Sequence, residues 1–197
     1  MTTQQLTTLL QPETALERQF LEDEEFRRGP VWGLPRYGHP EGTIWRHIIE
    51  VNANIDALPV DPATRRRLRT VNWVHDTFKH LEHRGSPRDW SKHHSIYARQ
   101  FLAQYVDDPL LLNVVELHDE AYYCWRLAYL YGKLSEADRR LEVLRKRVGS
   151  YWQLYYLFFK CDTATGDKNQ APLLWFEQHM PDIKVVEFSA GTQVEEG

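Results

Sequence analysis

Residues 71–80 read VNWVHDTFKH. With Leu68 upstream, Val71, His75 and Phe78 recur at spacings of three and four, which predicts a helix with one face on a core. His75 lies inside that apolar stripe and Asp76 follows it directly. An imidazole on an apolar face is ordinarily a hydrogen-bonded core histidine. A carboxylate drawn toward a dry interior is harder to accommodate. Ionised and unpaired it costs several kcal/mol, so it calls for a cation or strong donors. The helix opens at Asp61, a suitable N-cap with Pro62 in the first helical position, and is expected to run to about Leu81. Gly85-Ser86-Pro87 breaks the chain after it.

Upstream, GPVWGLPRYGHPEG (29–42) is half Gly and Pro and excludes a regular element. Trp32, Leu34 and Tyr37 within it suggest a packed loop. A helix then starts at Thr43, with Ile44, Ile48, Val51, Ile55 and Leu58 on one stripe and His47 among them. Residues 1–12 read as polar and loosely held, and Glu13 to Arg28 as a short amphipathic helix. Downstream, helices are expected over about Lys92–Val106, from Pro109 to Gly132, over Ser135–Asp162 with a kink at Gly149, and over Pro172–Met180. His118 shares a face with Val114, Val115, Tyr122 and Trp125, and Asp162 shares one with Tyr155 and Phe158. The run IKVVEF (183–188) could form a short strand before a polar, fraying end. The reading is all-α: a bundle of six or seven helices with a Gly/Pro-rich loop before the first His-bearing one. Residues 1–28 form a packed N-terminal segment, 29–181 the domain and 182–197 a tail.

Composition narrows the function classes. At 197 residues, with 42% hydrophobic and 26% charged residues, the chain suits one globular domain rather than a disordered one. No stretch approaches the ~18 consecutive apolar residues of a membrane span. The start, MTTQQLTTLLQPE, lacks the basic and apolar parts of a secretory signal. Cys124 and Cys161 lack metal-pair spacing and read as free thiols of a reducing, cytoplasmic setting. A net charge of −4 does not favour a nucleic-acid partner. The basic cluster Arg65, Arg66, Arg67 and Arg69 reads as a solvated helix face, as do Arg145, Lys146 and Arg147. GxGxxG and GxxxxGK[ST] are both absent.

Four helices thus each push an imidazole or carboxylate toward the core. Several inward His and two inward Asp are most simply explained by a divalent metal, with ligand types that suit Zn, Mn, Fe, Co or Ni. No thiolate is placed to join them, which argues against a finger-type zinc site.

The pattern His47, His75-Asp76, Asp162 resembles the HD superfamily of metal-dependent phosphohydrolases over about Gly38 to Trp175. GHPEGTIWRH (38–47) is similar to the HPEG-x-x-W-x-H opening of the HD domain in bacterial CCA-adding tRNA nucleotidyltransferases. VNWVHDTFKH resembles the superfamily's His-Asp-x-x-Lys core, and FFKCDTATGDK (158–168) matches the place of the last aspartate. The resemblance implies that His47, His75, Asp76 and Asp162 hold one metal and that Asp76 bridges to a second. His118 and a residue of KHHSIYARQF would complete that second site. Family spacing points to His93, with Ala98 five residues on, whereas periodicity points to His94. His93 is the favoured choice and His94 the alternate. Asp76 would orient the attacking water. Lys79 would reach a substrate oxyanion, and His39 would touch substrate.

Three functions follow as expectations. The first is a phosphohydrolase acting on a small phosphoester, foremost a nucleotide, with one or two divalent ions (Mn, Co, Ni, Zn, Mg or Fe). The second is a di-iron oxygenase similar to myo-inositol oxygenase, whose six-ligand set is alike. The third is a non-catalytic, metal-stabilised nucleotide-binding or interaction module. A homo-oligomer is compatible with all three.

Overall fold

A computed structural model describes residues 1–189. Among them every regular element is helical, and the only β pairing is an isolated bridge between Arg36 and His39. This is the expected all-α bundle, but it is cut into eleven α-helices instead of six or seven. The cuts have local causes.

Residues expected to be loose form α1 (Thr3–Leu10). Thr2 and Gln5 make a reciprocal capping box there, and Leu6 and Leu10 are buried. The single helix expected over 13–28 is two, α2 (Ala15–Glu22) and α3 (Glu24–Arg28). Asp23 leaves the helical backbone between them, and its carboxylate accepts from the Phe26 N–H. The Gly/Pro-rich loop is held by its main chain: Ile44 N–H donates to Trp32 O and Trp45 N–H to Pro30 O. Only Trp32 of its three large residues packs on the core; Leu34 and Tyr37 are exposed.

α4 (Ile44–Asp56) follows with Thr43 at the N-cap position, although its hydroxyl makes no capping bond. α5 (Pro62–His75) is capped as expected, Asp61 accepting from the Ala63 and Thr64 N–H groups at 2.8 and 3.0 Å. It ends at His75, not near Leu81. His75 Nδ1 donates to Asn72 O at 2.9 Å and Thr77 Oγ1 to Trp73 O at 2.6 Å. Side chains take carbonyls of the last turn, and the helix stops.

α6 (His94–Leu102) is shorter than the expected 92–106. The fifth expected helix is split into α7 (Pro109–Glu116) and α8 (Glu120–Trp125), the latter running into a π-helical turn at Arg126–Leu130. Here too a ring ends the helix: His118 Nδ1 donates to Val115 O at 2.9 Å, and the Tyr155 hydroxyl bonds Leu117 O. The sixth becomes α9 (Leu134–Val148) and α10 (Trp152–Thr163). Gly149 breaks it outright, with φ +54°, a conformation that disfavours a Cβ. α11 (Ala171–His179) lies where expected.

The run 183–188 is not a strand. It has no ladder partner and is pinned by Gln153, whose amide both donates to Lys184 O and accepts from Lys184 N–H. The expected fraying end lies outside the described residues.

α5 is central. It packs against α2, α4, α6, α7 and α10. Phe26 stacks between Trp73 and Phe101 on one side of the core, and Phe176 meets Trp152 and Phe159 on the other. The arginine cluster is only partly a solvated face. Arg65 pairs with Glu13 and Asp56, and buried Arg69 pairs with buried Glu17. Both cysteines are free and buried.

Glu17 closes the capping box of α2 and neutralises Arg69. Glu17→Ala leaves a buried guanidinium short of its main partner and is expected to cost about 3–5 kcal/mol. Urea unfolding measures it; a loss below about 1 kcal/mol, the scale of a surface pair, contradicts the assignment.

Candidate metal centre

The ends of α5 and α7, the start of α6 and the end of α10 meet in the middle of the bundle. They bring together His75, Asp76, His94, His118 and Asp162, while α4 contributes His47. All four imidazoles and Asp76 are buried.

Asp76 lies at the centre. Its Oδ2 faces His75 Nε2 at 3.5 Å and His47 Nε2 at 3.9 Å. Its Oδ1 faces His94 Nε2 at 3.3 Å and His118 Nε2 at 3.6 Å. Asp162 Oδ1 completes the first group, 2.9 Å from His47 Nε2 and 3.7 Å from His75 Nε2. Asp119 Oδ2 completes the second, 3.5 Å from His118 Nε2 and 3.6 Å from His94 Nε2. Ligand atoms about 2.1 Å from one ion lie about 3–4 Å from each other, so both groups have the spacing of a coordination shell. Each can hold a metal ion.

The choice between neighbouring histidines is geometric. His94, the alternate, faces Asp76 and His118. His93, the favoured choice, does not: its Nε2 lies 3.4 Å from Glu82 Oε1 and 3.8 Å from Asp119 Oδ2. His93 is the N-cap of α6, and its Nδ1 accepts from the Ser95 N–H. That capping role fixes its backbone outside the helix and turns the ring aside. Periodicity thus points to the ring that faces Asp76 and His118, and family spacing to its neighbour, which faces Glu82 and Asp119.

Two lysines neutralise the carboxylates. Lys79 Nζ bonds Asp76 Oδ2, and Lys168 Nζ donates to Asp162 Oδ1 and O, both at 2.9 Å. Burial alone would raise Asp76 and Asp162. The ammonium of Lys79 beside one and of Lys168 beside the other, with the nearby imidazoles, hold both well below the usual carboxylate range.

The lysines leave ring nitrogens unanswered. With Nδ1 of His75 donating to Asn72 O, its Nε2 carries the lone pair, and this buried atom has no hydrogen-bond partner. His94 and His118 set Nε2 against Nε2 at 3.3 Å while their Nδ1 atoms are turned to Glu82 and the Val115 carbonyl. Two facing lone pairs repel, so a proton or a metal ion belongs there. The residues present therefore fit a divalent ion: imidazole and carboxylate donors, fixed tautomers and an orphaned lone pair aimed inward.

A cavity of about 310 Å³ opens onto this cluster, large enough for a small molecule. Its lining includes buried Asp76 and His118, with Asp119, Asp162, Lys79, Lys168 and His39, and the exposed Tyr37 and Tyr122. His39 is held by Glu41, Nδ1 to Oε1 at 3.0 Å. Gly166 lets the segment after α10 close on the loop: with φ +55°, a Cβ there would come 2.7 Å from Pro40 Cδ.

Four polar residues of this region escape the sequence reading: Glu41, Glu82, Asp119 and Lys168. Glu41 and Lys168 lie inside the stretches that carry the family resemblance, and His118-Asp119 is a second His-Asp pair. Glu82 has no such signal; the turn after α5 brings it back to His94. Comparison with protein-family models, curated proteins and solved structures finds no match for this chain.

His118 gives the centre a titration signature. Burial alone would depress it, but Asp119 and Asp76 outweigh burial and raise it to about 9. The metal-free ring is therefore protonated at pH 7.5, and ligation must release that proton. Calorimetric zinc titration at pH 7.5 in buffers of different ionisation enthalpy should show at least one proton released per chain, with the His118 contribution falling toward zero above pH 9. Proton-neutral binding at pH 7.5 would contradict His118 as a ligand.

Proposed function

We propose that the chain is a metal-dependent phosphohydrolase acting on a small phosphoester, foremost a nucleotide. The observation that carries the reading is the position of Asp76: its two oxygens face two separate His/Asp groups beside a cavity lined by two lysines. The resemblance of residues 38–47, 71–80 and 158–168 to HD phosphohydrolases supports it.

His47, His75, Asp76 and Asp162 would hold one divalent ion, and Asp76, His94, His118 and Asp119 a second. Such ions supply Lewis acidity and lower the pKa of a bound water toward neutrality. The chain's own residues do the rest. Lys79 and Lys168 present ammonium groups to the cavity, placed to bind the equatorial oxygens of a phosphoryl group, where electrostatic stabilisation matters most. Asp76, which has no proton to give, accepts from the attacking water and orients it. His39, fixed by Glu41, contacts the substrate from the loop. The exposed Tyr37 and Tyr122 offer flat apolar faces to a base or sugar.

A di-iron oxygenase is the second reading, because four histidines and a shared aspartate also suit iron. Elemental analysis of protein purified anaerobically without added metal separates the two. One or two Mn, Co, Ni, Mg or Zn per chain supports the hydrolase; two irons turn the search to polyols and phosphonates. A chain that takes up no metal is a binding module.

With a hydrolysed nucleotide in hand, Asp76→Ala should abolish both metal uptake and turnover. Lys79→Ala and Lys168→Ala should keep the metals and lose about 10²–10³-fold in kcat/KM, the scale of one lost oxyanion contact. Phosphate release across a nucleotide panel reads turnover, and elemental analysis reads the metals. Full turnover by the Asp76 variant would end this assignment.

A further inference from the structure

The four imidazoles of the centre are held from behind in two different ways. His75 and His118 give Nδ1 to main-chain carbonyls, Asn72 O and Val115 O, each at 2.9 Å. His47 and His94 instead turn Nδ1 toward side-chain carboxylates. His47 Nδ1 faces Glu41 Oε1 at 3.4 Å and, among the described residues, makes no hydrogen bond. His94 Nδ1 lies 3.3 Å from Glu82 Oε1. The two carboxylates are themselves braced from outside. His39 Nδ1 holds Glu41 at 3.0 Å, while His93 Nε2 lies 3.4 Å from Glu82 and Arg88 bonds it. The centre thus has matching ends, His39–Glu41–His47 and His93–Glu82–His94.

We propose that Glu41 and Glu82 are positioning residues, one for each cation position: Glu41 aims His47 at the first and Glu82 aims His94 at the second. The inference rests on the two-cation reading above and adds that the two positions are tuned separately. An anion behind a ligating imidazole fixes its tautomer and raises the basicity of the facing nitrogen. A main-chain carbonyl does the same for His75 and His118, but no substitution removes it. Glu41 is not better read as the ligand of a further ion. Placing an ion between Glu41 and His47 would require His47 to bind through both nitrogens as an imidazolate, whereas donation from Nδ1–H requires only the neutral ring.

Cobalt(II) titration followed by visible absorption, with elemental analysis after desalting, tests this without any substrate. The parent chain should take up two equivalents. Glu41→Gln, which keeps the shape and loses the charge, should weaken one equivalent by about 10–100-fold and spare the other. Glu82→Gln should do the converse, and each should reproduce the spectral loss of its partner variant, His47→Ala or His94→Ala. Melting of the metal-free Gln variants checks the fold. If either unfolds, Glu41→Asp and Glu82→Asp, which keep the charge but withdraw it by one methylene, are read in the same way. Two unchanged affinities in both variants overturn the inference and leave the metal centre standing. Equal weakening of both positions by either variant also overturns it. A parent chain that binds no cobalt overturns the two-cation reading and the inference together.

Discussion

The centre depends on one buried carboxylate. Asp76 sits among four imidazoles and a lysine with almost no access to water. A charge in that position is tolerated only if its surroundings are organised around it. The structure meets that demand on both sides, with His47 and His75 toward one oxygen and His94 and His118 toward the other. Four helices have to converge on a single residue to do this. The crossing of α5 with α4, α6, α7 and α10 is therefore as much a requirement of the charge as of the apolar core.

The site forms where helices stop. His75 and His118 each turn a ring nitrogen back to the carbonyl three residues earlier, and a helix ends at or just before each. The same bond fixes the tautomer and leaves Nε2 facing inward. Local structure and site chemistry are thus one event: the hydrogen bond that terminates the helix prepares the ligand. Asp76 and Asp119 follow immediately, on backbone no longer committed to the helix. His94 enters from the opposite kind of end, the first residue of α6, where His93 supplies the cap.

The fold class was legible because stripes such as Leu68-Val71-His75-Phe78 survive in a single sequence. Helix boundaries were less so. The breaks at Asp76 and His118 arise from side chains competing for carbonyls, and periodicity does not register that competition. Much of the site followed from polar residues interrupting apolar stripes: His47, His75, Asp76, His118 and Asp162 are all placed at the centre. Glu41, Glu82, Asp119 and Lys168 lie on loops and turns, where no stripe exists to interrupt. Only the return of the chain in space brings them in. His93 and His94 show the limit most sharply. Adjacent identical side chains differ in role because one caps a helix and the other begins it.

Charge balance bears on the proposed class of substrate. Asp76, Asp119, Asp162, Glu41 and Glu82 place five carboxylates around the centre, against three fixed cations, Lys79, Lys168 and Arg88. Two negative charges remain. Without metal, a proton on His118 covers one of them; the neighbouring carboxylates raise that ring to about 9 and raise His47 in the same direction, although burial alone would lower both. Two divalent ions would reverse the balance, leaving the carboxylates and fixed cations with an excess of two positive charges. A neutral polyol would leave that excess uncompensated. A phosphoryl dianion matches it, and it would lie between two lysines already facing the cavity. That balance is in keeping with the phosphoester substrate proposed above.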